Sequence, residues 1–453
     1  MVVMAGFVGG ACDAWDAGST RLERHGRRYG AVCGSRARGR GTPSRTNKGA
    51  PVASGRVLEP SRQKSRFDAV AVGAPVVKRF EGENQTRTWY LWYSGLGEPH
   101  EKEPFRIGLA VSNNGVLWER HEGSYGKESV LDVNVDEWWA FDTEHVVVGD
   151  IQLLSSLKVR AEGSVFFMFY HGTDHVELDV DASIMGLLSA SRVTRATSSL
   201  KSSRIGVALS LDGFHWSRIE GDFANGAVLD VRPSQRPDGL GVLYRYPSVI
   251  QTDEELLMVF NKVVVDDRYT ARSEIHLATS QDGLKWSELG SILPLDLQES
   301  GILGYGRPSV LRLADNEYVM FVELIGGAGC AYERSIGMAR SANGRHWILA
   351  TDEDGSYACV SRSSEDNAAD CSSIAWDGGG VGSPFAILAD DIDTVNLYYE
   401  GYAAPPGSSP QQNGNDESLT PAAHIGLATC ALSKLHEPEG LPKFQRVQLP
   451  TIP

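Results

Sequence analysis

The sequence predicts an all-β fold, a five-bladed β-propeller of four-stranded antiparallel blades, from three recurring observations. A thirteen-residue unit is written four times in full: RIGLAVSNNGVLW (106–118), RIGVALSLDGFHW (204–216), EIHLATSQDGLKW (274–286) and SIGMARSANGRHW (335–347). A shortened copy, HIGLATCAL (424–432), makes a fifth. An aromatic run precedes each unit, and a small residue with Pro and a β-branched run precedes that. Units that bury their apolar faces only by stacking form one body, so the repeats outweigh the roughly 150 residues per domain that set the length prior.

Each blade follows from its residues. Its first strand is GAPVV (73–77), RYPSVI (245–250), GRPSVL (306–311) or GSPFAIL (382–388), with TEHVVV (143–148) as the variant without Pro. Pro is tolerated at the start of a strand, where no ladder donor is needed. The second strand is aromatic: WYLWYS (89–94), VFFMFYH (165–171), LLMVFN (256–261), YVMFVE (318–323) and VNLYYE (395–400). The repeat supplies the third and fourth. Ile205, Val207 and Leu209 alternate with small or polar neighbours, the period of a half-buried strand. Asn114-Gly115, Asp212-Gly213, Asp282-Gly283 and Asn343-Gly344 then predict two-residue type I′ turns with positive φ at both central residues. The Trp three residues after each Gly falls on the returning strand, where its area pins one hairpin against the next. The last copy lacks that Trp, and its fourth strand is expected at 444–449.

The first-strand anchors Ala74, Glu144, Tyr246, Arg307 and Ser383 are 70, 102, 61 and 76 residues apart. The excess over blades of about 40–50 residues lies in polar loops such as 174–203 and 403–423.

Charge divides the chain. Residues 1–66 carry 13 Arg and Lys against four Asp and Glu, a formal +9, which leaves −24 of the total −15 for residues 67–453. The head is expected to be disordered and reads as an organelle transit peptide, plastid or mitochondrial. Asp13 and Asp16 are unusual in such a peptide, and a mis-started or merely disordered head, or secretion, are the alternatives. The acidic body, 67–453, argues against nucleic-acid and anionic-membrane partners. No apolar run approaches the roughly 20 residues of a membrane helix. The six cysteines show no zinc spacing; Cys359 and Cys371 are placed to bridge a loop, although buried thiols are the expectation.

Strand direction locates the site. The starts of first strands, the ends of second strands and the long insertions share one face, and the Asp-Gly turns lie on the other. That first face is the expected functional one, and the Asp of each turn is expected to be structural. Its mouth gathers Asp68, Asp142, Glu144, Arg245, Tyr246 and Arg307 from first strands, and His171, Asn261, Glu323 and Glu400 from the ends of second strands. Carboxylates flanking a cleft are what glycosidic chemistry requires, one to protonate the leaving oxygen and one to activate water or attack the sugar. Asp68 and Asp142 each follow a Phe, a pairing that also suits a structural device. Arg245 and Arg307 suit a carboxylate, a phosphate or sugar hydroxyls, or else neutralise the acids. Trp138 and Trp139 suit either a sugar face or the core. His171, Asp174 and His175 are ligand types, but no helix enforces their spacing, so no metal and no cofactor are expected.

The five-fold pattern of strand-opening Pro, aromatic second strand and I-G-x-A-x-S-x-[DN]-G-x-x-W resembles the five-bladed propeller glycosidases, the arabinanase, levansucrase and invertase group, and the related mannoside phosphorylases. The resemblance runs from Phe67 to the C-terminus. It implies a catalytic Asp directly before the strand-1 Pro of the first blade, a second Asp before a Pro in a middle blade and a Glu opening a later one. Here Ala74, Tyr246 and Arg307 hold places of that kind. The nearest acids are Asp68, and Asp142 with Glu144. The resemblance therefore implies a carbohydrate in the central funnel, with Asp142, Glu144, Glu323 and Asp68 as the catalytic candidates. His171, Arg245, Tyr246, Asn261, Arg307 and Glu400 are the substrate-binding candidates. Hydrolysis, binding without turnover and phosphorolysis all remain open.

Overall fold

The computed structural model describes residues 55–81, 87–98, 103–154, 165–178, 200–231, 241–265, 271–295, 301–326, 333–363, 376–403, 422–437 and 440–449. The expected targeting head falls on residues 1–54, outside this set, and so does Cys371.

Five antiparallel sheets follow one another along the chain as the blades of a β-propeller. The first comprises Ala71–Glu81, Arg87–Leu96, Arg106–Ser112 and Glu119–Arg120. The second comprises His145–Leu154, Val165–Leu178, Leu200–Ser210 and Ser217–Ile219. The third is Gly241–Gln251, Leu256–Val265, Ala271–Ser280 and Ser287–Leu293. The fourth is Ile302–Ala314, Glu317–Gly326, Glu333–Ser341 and Ile348–Leu349, with Ala358–Val360 also on its third strand. No helix among the described residues is long and apolar enough to cross a membrane.

The fifth blade is completed from both ends of the chain. Gly380–Leu388, Thr394–Tyr402 and Ala423–Ala431 pair in order, and the outer edge of the third is shared. Gln445–Arg446 covers Thr429 and Ala428, as expected of 444–449, while Arg56–Leu58 pairs opposite Gly426 and Ile425. The sheet therefore begins ahead of the Arg66/Phe67 boundary drawn from charge. A strand of three residues leaves no periodic signal of its own, and its Arg made it read as part of the basic head.

The hairpin turns differ from expectation in one respect. Gly115, Gly213, Gly283 and Gly344 have φ between 69° and 79°, but the Asn or Asp before each does not have positive φ. The turn is an Asx loop rather than a type I′ hairpin. Asp212 Oδ1 accepts the amides of Phe214 and His215, both at 2.8 Å, and Ser210 Oγ accepts those of Asp212 and Gly213. The other three copies repeat this network. The side chain thus replaces the backbone pairing that a tight turn would use, which makes these acids structural.

The Trp after each turn locks neighbouring blades. Trp216 Nε1 donates to Gly213 O at 3.1 Å and its ring meets Trp92 of the first blade edge-on, centroids 6.3 Å apart. Trp286 meets Phe169 of the second blade, and Trp118 meets Tyr398 of the fifth, in the same way. The aromatic second strands are therefore the sockets, and full burial of such a side chain contributes roughly 2–3 kcal/mol.

Cys359 and Cys430 are buried free thiols, and burial pushes the Cys359 thiol up to about 12.

Candidate functional site

Each first strand has a register break where it opens near the axis, between Gly73 and Val76, Val148 and Asp150, Arg245 and Ser248, Tyr305 and Pro308, and Gly382 and Phe385. The residues that follow the partners of the second-strand ends, Gly73 opposite Ser94, Val147 opposite His171, Arg245 opposite Asn261 and Gly382 opposite Glu400, are Ala74, Val148, Tyr246 and Ser383, and Pro308 aligns Arg307 with them. Glu144 is thereby displaced from the anchor position by four residues. The variant blade has Gly149 where the others have Pro, and a Cβ there would lie 2.4 Å from Pro247 Cγ. This blade has no Pro to mark where its first strand opens, and Glu144 falls short of the anchor position for that reason. Glu144 is 39 % exposed and pairs with Lys201 Nζ at 2.8 Å.

Three of the five equivalent residues, Ala74, Tyr246 and Ser383, have φ of 48°, 52° and 46°. For residues with a Cβ this is a strained conformation that persists only when its surroundings hold it. The holding groups are the polar side chains that end the second strand of the preceding blade. Glu400 Oε2 accepts the amide of Ala74 at 3.3 Å, His171 Nδ1 that of Tyr246 at 3.4 Å, and Glu323 Oε2 that of Ser383 at 3.2 Å. Ser94 Oγ does the same for Val148 at 3.1 Å. Asn261 reaches the fourth blade differently, donating from Nδ2 to Tyr305 O at 2.8 Å, and its Oδ1 accepts from Arg245. The structure thus brings His171, Asn261, Glu323 and Glu400 together with Tyr246, Arg245 and Arg307, all of them buried, as inter-blade clasps around the axis.

The electrostatics follow from this burial. His171 is held well below the ordinary histidine range by desolvation and by Arg245 and Arg307, which keeps Nδ1 free to accept. Burial and then Glu323 raise Glu400 to about 7, and the two acids share Ser383, whose hydroxyl bonds Glu400 while its amide bonds Glu323. Glu323 is also ion-paired with Arg334, a buried residue that sequence patterns did not single out. Arg307, only 1 % exposed, crosses from the fourth blade to donate from Nη2 to Pro75 O at 3.1 Å and Gly149 O at 2.7 Å. Its Nη1 has no hydrogen-bond partner, and burial lowers its pKa to about 10. Burial lifts the Tyr246 hydroxyl to about 12.

Asp68 and Asp142 lie elsewhere. Asp68 accepts from Tyr93 Oη at 2.8 Å and Arg120 Nε at 2.7 Å, and also from Arg66 Nε at 3.2 Å. Asp142 accepts from Tyr170 Oη at 2.9 Å and Arg218 Nε at 2.7 Å. Asp377, absent from the sequence candidates, repeats the set with Tyr399 at 3.0 Å and Arg446 at 2.8 Å. In all three blades the residue before the Asp stacks on that Tyr: Phe67 on Tyr93, Phe141 on Tyr170 and Trp376 on Tyr399, at 5.6–5.7 Å. Each acid ties the second strand of its blade to the outermost one, through a Tyr that directly precedes the clasp residue Ser94, His171 or Glu400. The signal was present in the sequence as aromatic-Asp before a first strand, with Trp-x-Arg at 118–120 and 216–218.

No family model matches the sequence, and no curated protein does. Solved structures do share its fold. The BT0996 RGII complex superposes with a TM-score of 0.53 at 14 % identity, covering 88 % of this chain and 96 % of that one. A glycosyl hydrolase from Bacteroides ovatus gives 0.50 at 12 % identity, covering 87 % and 97 %. An N-acetylgalactosamine deacetylase from F. plautii, in complex with blood group B trisaccharide, gives 0.53 at 13 % identity, covering 85 % and 96 %. The chain therefore resembles glycoside hydrolases in fold, as a five-bladed propeller.

Proposed function

We propose that the protein binds a carbohydrate in the funnel of the propeller without hydrolysing it. One observation carries this reading. The five equivalent positions that open the first strands hold Ala74, Val148, Tyr246, Arg307 and Ser383, and none is a carboxylate. Glycosidic cleavage needs two carboxyl groups free to face the bond, one as acid and one as base or nucleophile. Asp68 and Asp142 are occupied by Tyr and Arg of their own blades, and Glu144 pairs with Lys201. The carbohydrate itself is supported by fold neighbours in complex with RGII and with blood group B trisaccharide. Fold alone does not confer activity, so the ligand class rests on that analogy and on the Tyr246, Arg245 and Arg307 side chains gathered at the axis.

A second reading is favoured by Glu400. A carboxyl raised to about 7 beside a Glu323 paired with Arg334 is an acid poised to give up a proton near neutral pH. In that reading Glu400 is the proton donor and Glu323 the second carboxylate. A phosphorylase would work from the same acid, with Arg245 and Arg307 facing phosphate.

The test is a glycan array run beside hydrolysis and phosphorolysis screens on the full chain and on Glu400→Gln. Retention of glycans without turnover, unchanged in kind by the substitution, is the expected result. Turnover that Glu400→Gln abolishes overturns it in favour of the second reading, and phosphate dependence of that turnover identifies a phosphorylase.

A further inference from the structure

The loop that leads from Arg120 to the second blade exposes its aromatic side chains. Trp138 is 79 % exposed and Trp139 38 %, with Val135 also exposed beside them. Other exposed apolar side chains, Leu117, Leu211 and Ile348, occur singly at the hairpins of the opposite face. Exposing two indoles on one loop forgoes burial of large apolar area, so the loop needs another reason to hold them.

The loop is held in place. Asn134 Oδ1 accepts the amides of Asp136 and Glu137, Asn134 Nδ2 donates to Glu137 Oε2 at 3.0 Å, and Ala140 N donates to Glu137 O. Asn134 N donates to Asp142 O at 3.0 Å, which closes the loop onto the Tyr170–Asp142–Arg218 set. Phe141 N donates to Asn225 O, and Trp139 lies over Gly226 of the next connection. The backbone that carries the tryptophans is therefore preset, rather than a loop that must be ordered on binding.

The connection belongs to the face on which the first strands open, because it joins the end of one blade to the start of the next. It sits over the outer strands of the second blade. At about 4.8 Å between strands, that is roughly 10–15 Å from the first strand of that blade. Two indoles and an isopropyl group cover much less than the roughly 800 Å² per partner of a stable protein interface. The carboxylates of Asp136 and Glu137 alongside repel an anionic lipid surface and offer acceptors for hydroxyl groups.

We infer that Trp138 and Trp139 form a second glycan subsite, in which a sugar ring stacks on the indole face while the same glycan continues toward the funnel. This rests on the carbohydrate reading above and adds a length requirement to it. The occupant is a neutral oligosaccharide of several rings.

The test uses an array of neutral oligosaccharides from one to eight residues, probed with the full chain and with Trp138→Ala, Trp139→Ala and Trp138→Phe. The expected result is tighter retention of glycans of four or more residues than of mono- and disaccharides. Trp138→Ala should lose that advantage, roughly tenfold from the apolar area of one ring face, with the short-sugar signal unchanged and Trp138→Phe keeping most of the advantage. Equal retention of short and long sugars by the wild type, or a length advantage that survives both Ala variants, overturns the subsite and leaves the funnel reading standing. A change in sedimentation coefficient in place of a change in array signal marks the loop as a self-association surface and also overturns it. A wild type that retains no sugar overturns the carbohydrate reading and this one together.

Discussion

Glu400 accepts the amide N–H of Ala74 at 3.3 Å across 326 residues of sequence, so the last blade holds the first by a side chain at the axis as well as by its outer strands. The acceptor is a carboxyl group buried beside a second one, and Ala74 carries the strained φ that the bond stabilises. A group of this kind makes ring closure sensitive to pH.

The Glu400 carboxyl is raised to about 7 in the folded protein from an ordinary value near 4.5. The folded state therefore favours the protonated form, and the stability linked to it is fully present below pH 4.5 and is lost as pH rises through 7. The difference is worth about 3 kcal/mol. Denaturant melts of wild type and Glu400→Gln at pH 5 and pH 8 should show the wild type losing that much relative to the variant at pH 8. Parallel behaviour of the two proteins across this window would mean that Glu400 is not the titrating group.

Arg218 neutralises Asp142, which is 1 % exposed. Arg218→Ala leaves the carboxylate buried without its cation and should cost about 3–5 kcal/mol. Asp142→Asn keeps the shape and part of the hydrogen bonding, and should lower stability with no effect on glycan retention. Loss of retention at full stability would return Asp142 to the binding site.

Burial alone would raise the Asp282 carboxyl, but the amides of Lys285 and Leu284 and the Ser280 hydroxyl together hold it below the ordinary carboxylate range. Its contribution is present above the unfolded value and fades as pH falls toward the folded one. Asp282→Ala should cost about 1 kcal/mol at pH 7 and less at pH 3. Glycan retention should be unaltered, since the turn lies on the face away from the funnel. Chemical denaturation at the two pH values measures both effects.

Trp216 is buried between the first two blades. Trp216→Ala should destabilise the protein by about 3–5 kcal/mol through the cavity it leaves, whereas Trp138→Ala, at an exposed ring, should leave the melting temperature within about a degree of wild type. Calorimetry of the two variants separates the pinning tryptophans from the presented ones.

Local pattern was sufficient for much of this architecture. The alternation around Ile205, Val207 and Leu209, the repeated Gly-x-x-Trp and the aromatic second strands gave the number of blades and their direction, because strand period and turn chemistry act over a few residues. From direction alone came the face on which His171, Asn261, Glu323 and Glu400 converge, and the structural role of the turn acids. Tertiary contacts decided the rest. Only pairing registers show that Val148, and not Glu144, stands with Ala74 and Tyr246. Only the folded ring brings Arg334 to Glu323, Arg307 to Gly149 and Arg56–Leu58 to the last blade. The Phe-Asp pairs looked alike in the sequence, but their Tyr and Arg partners are 25–76 residues distant, and only the fold brings those partners to the acids. A residue type states what chemistry is available, and the neighbours that long-range packing brings to it determine whether that chemistry is free to act.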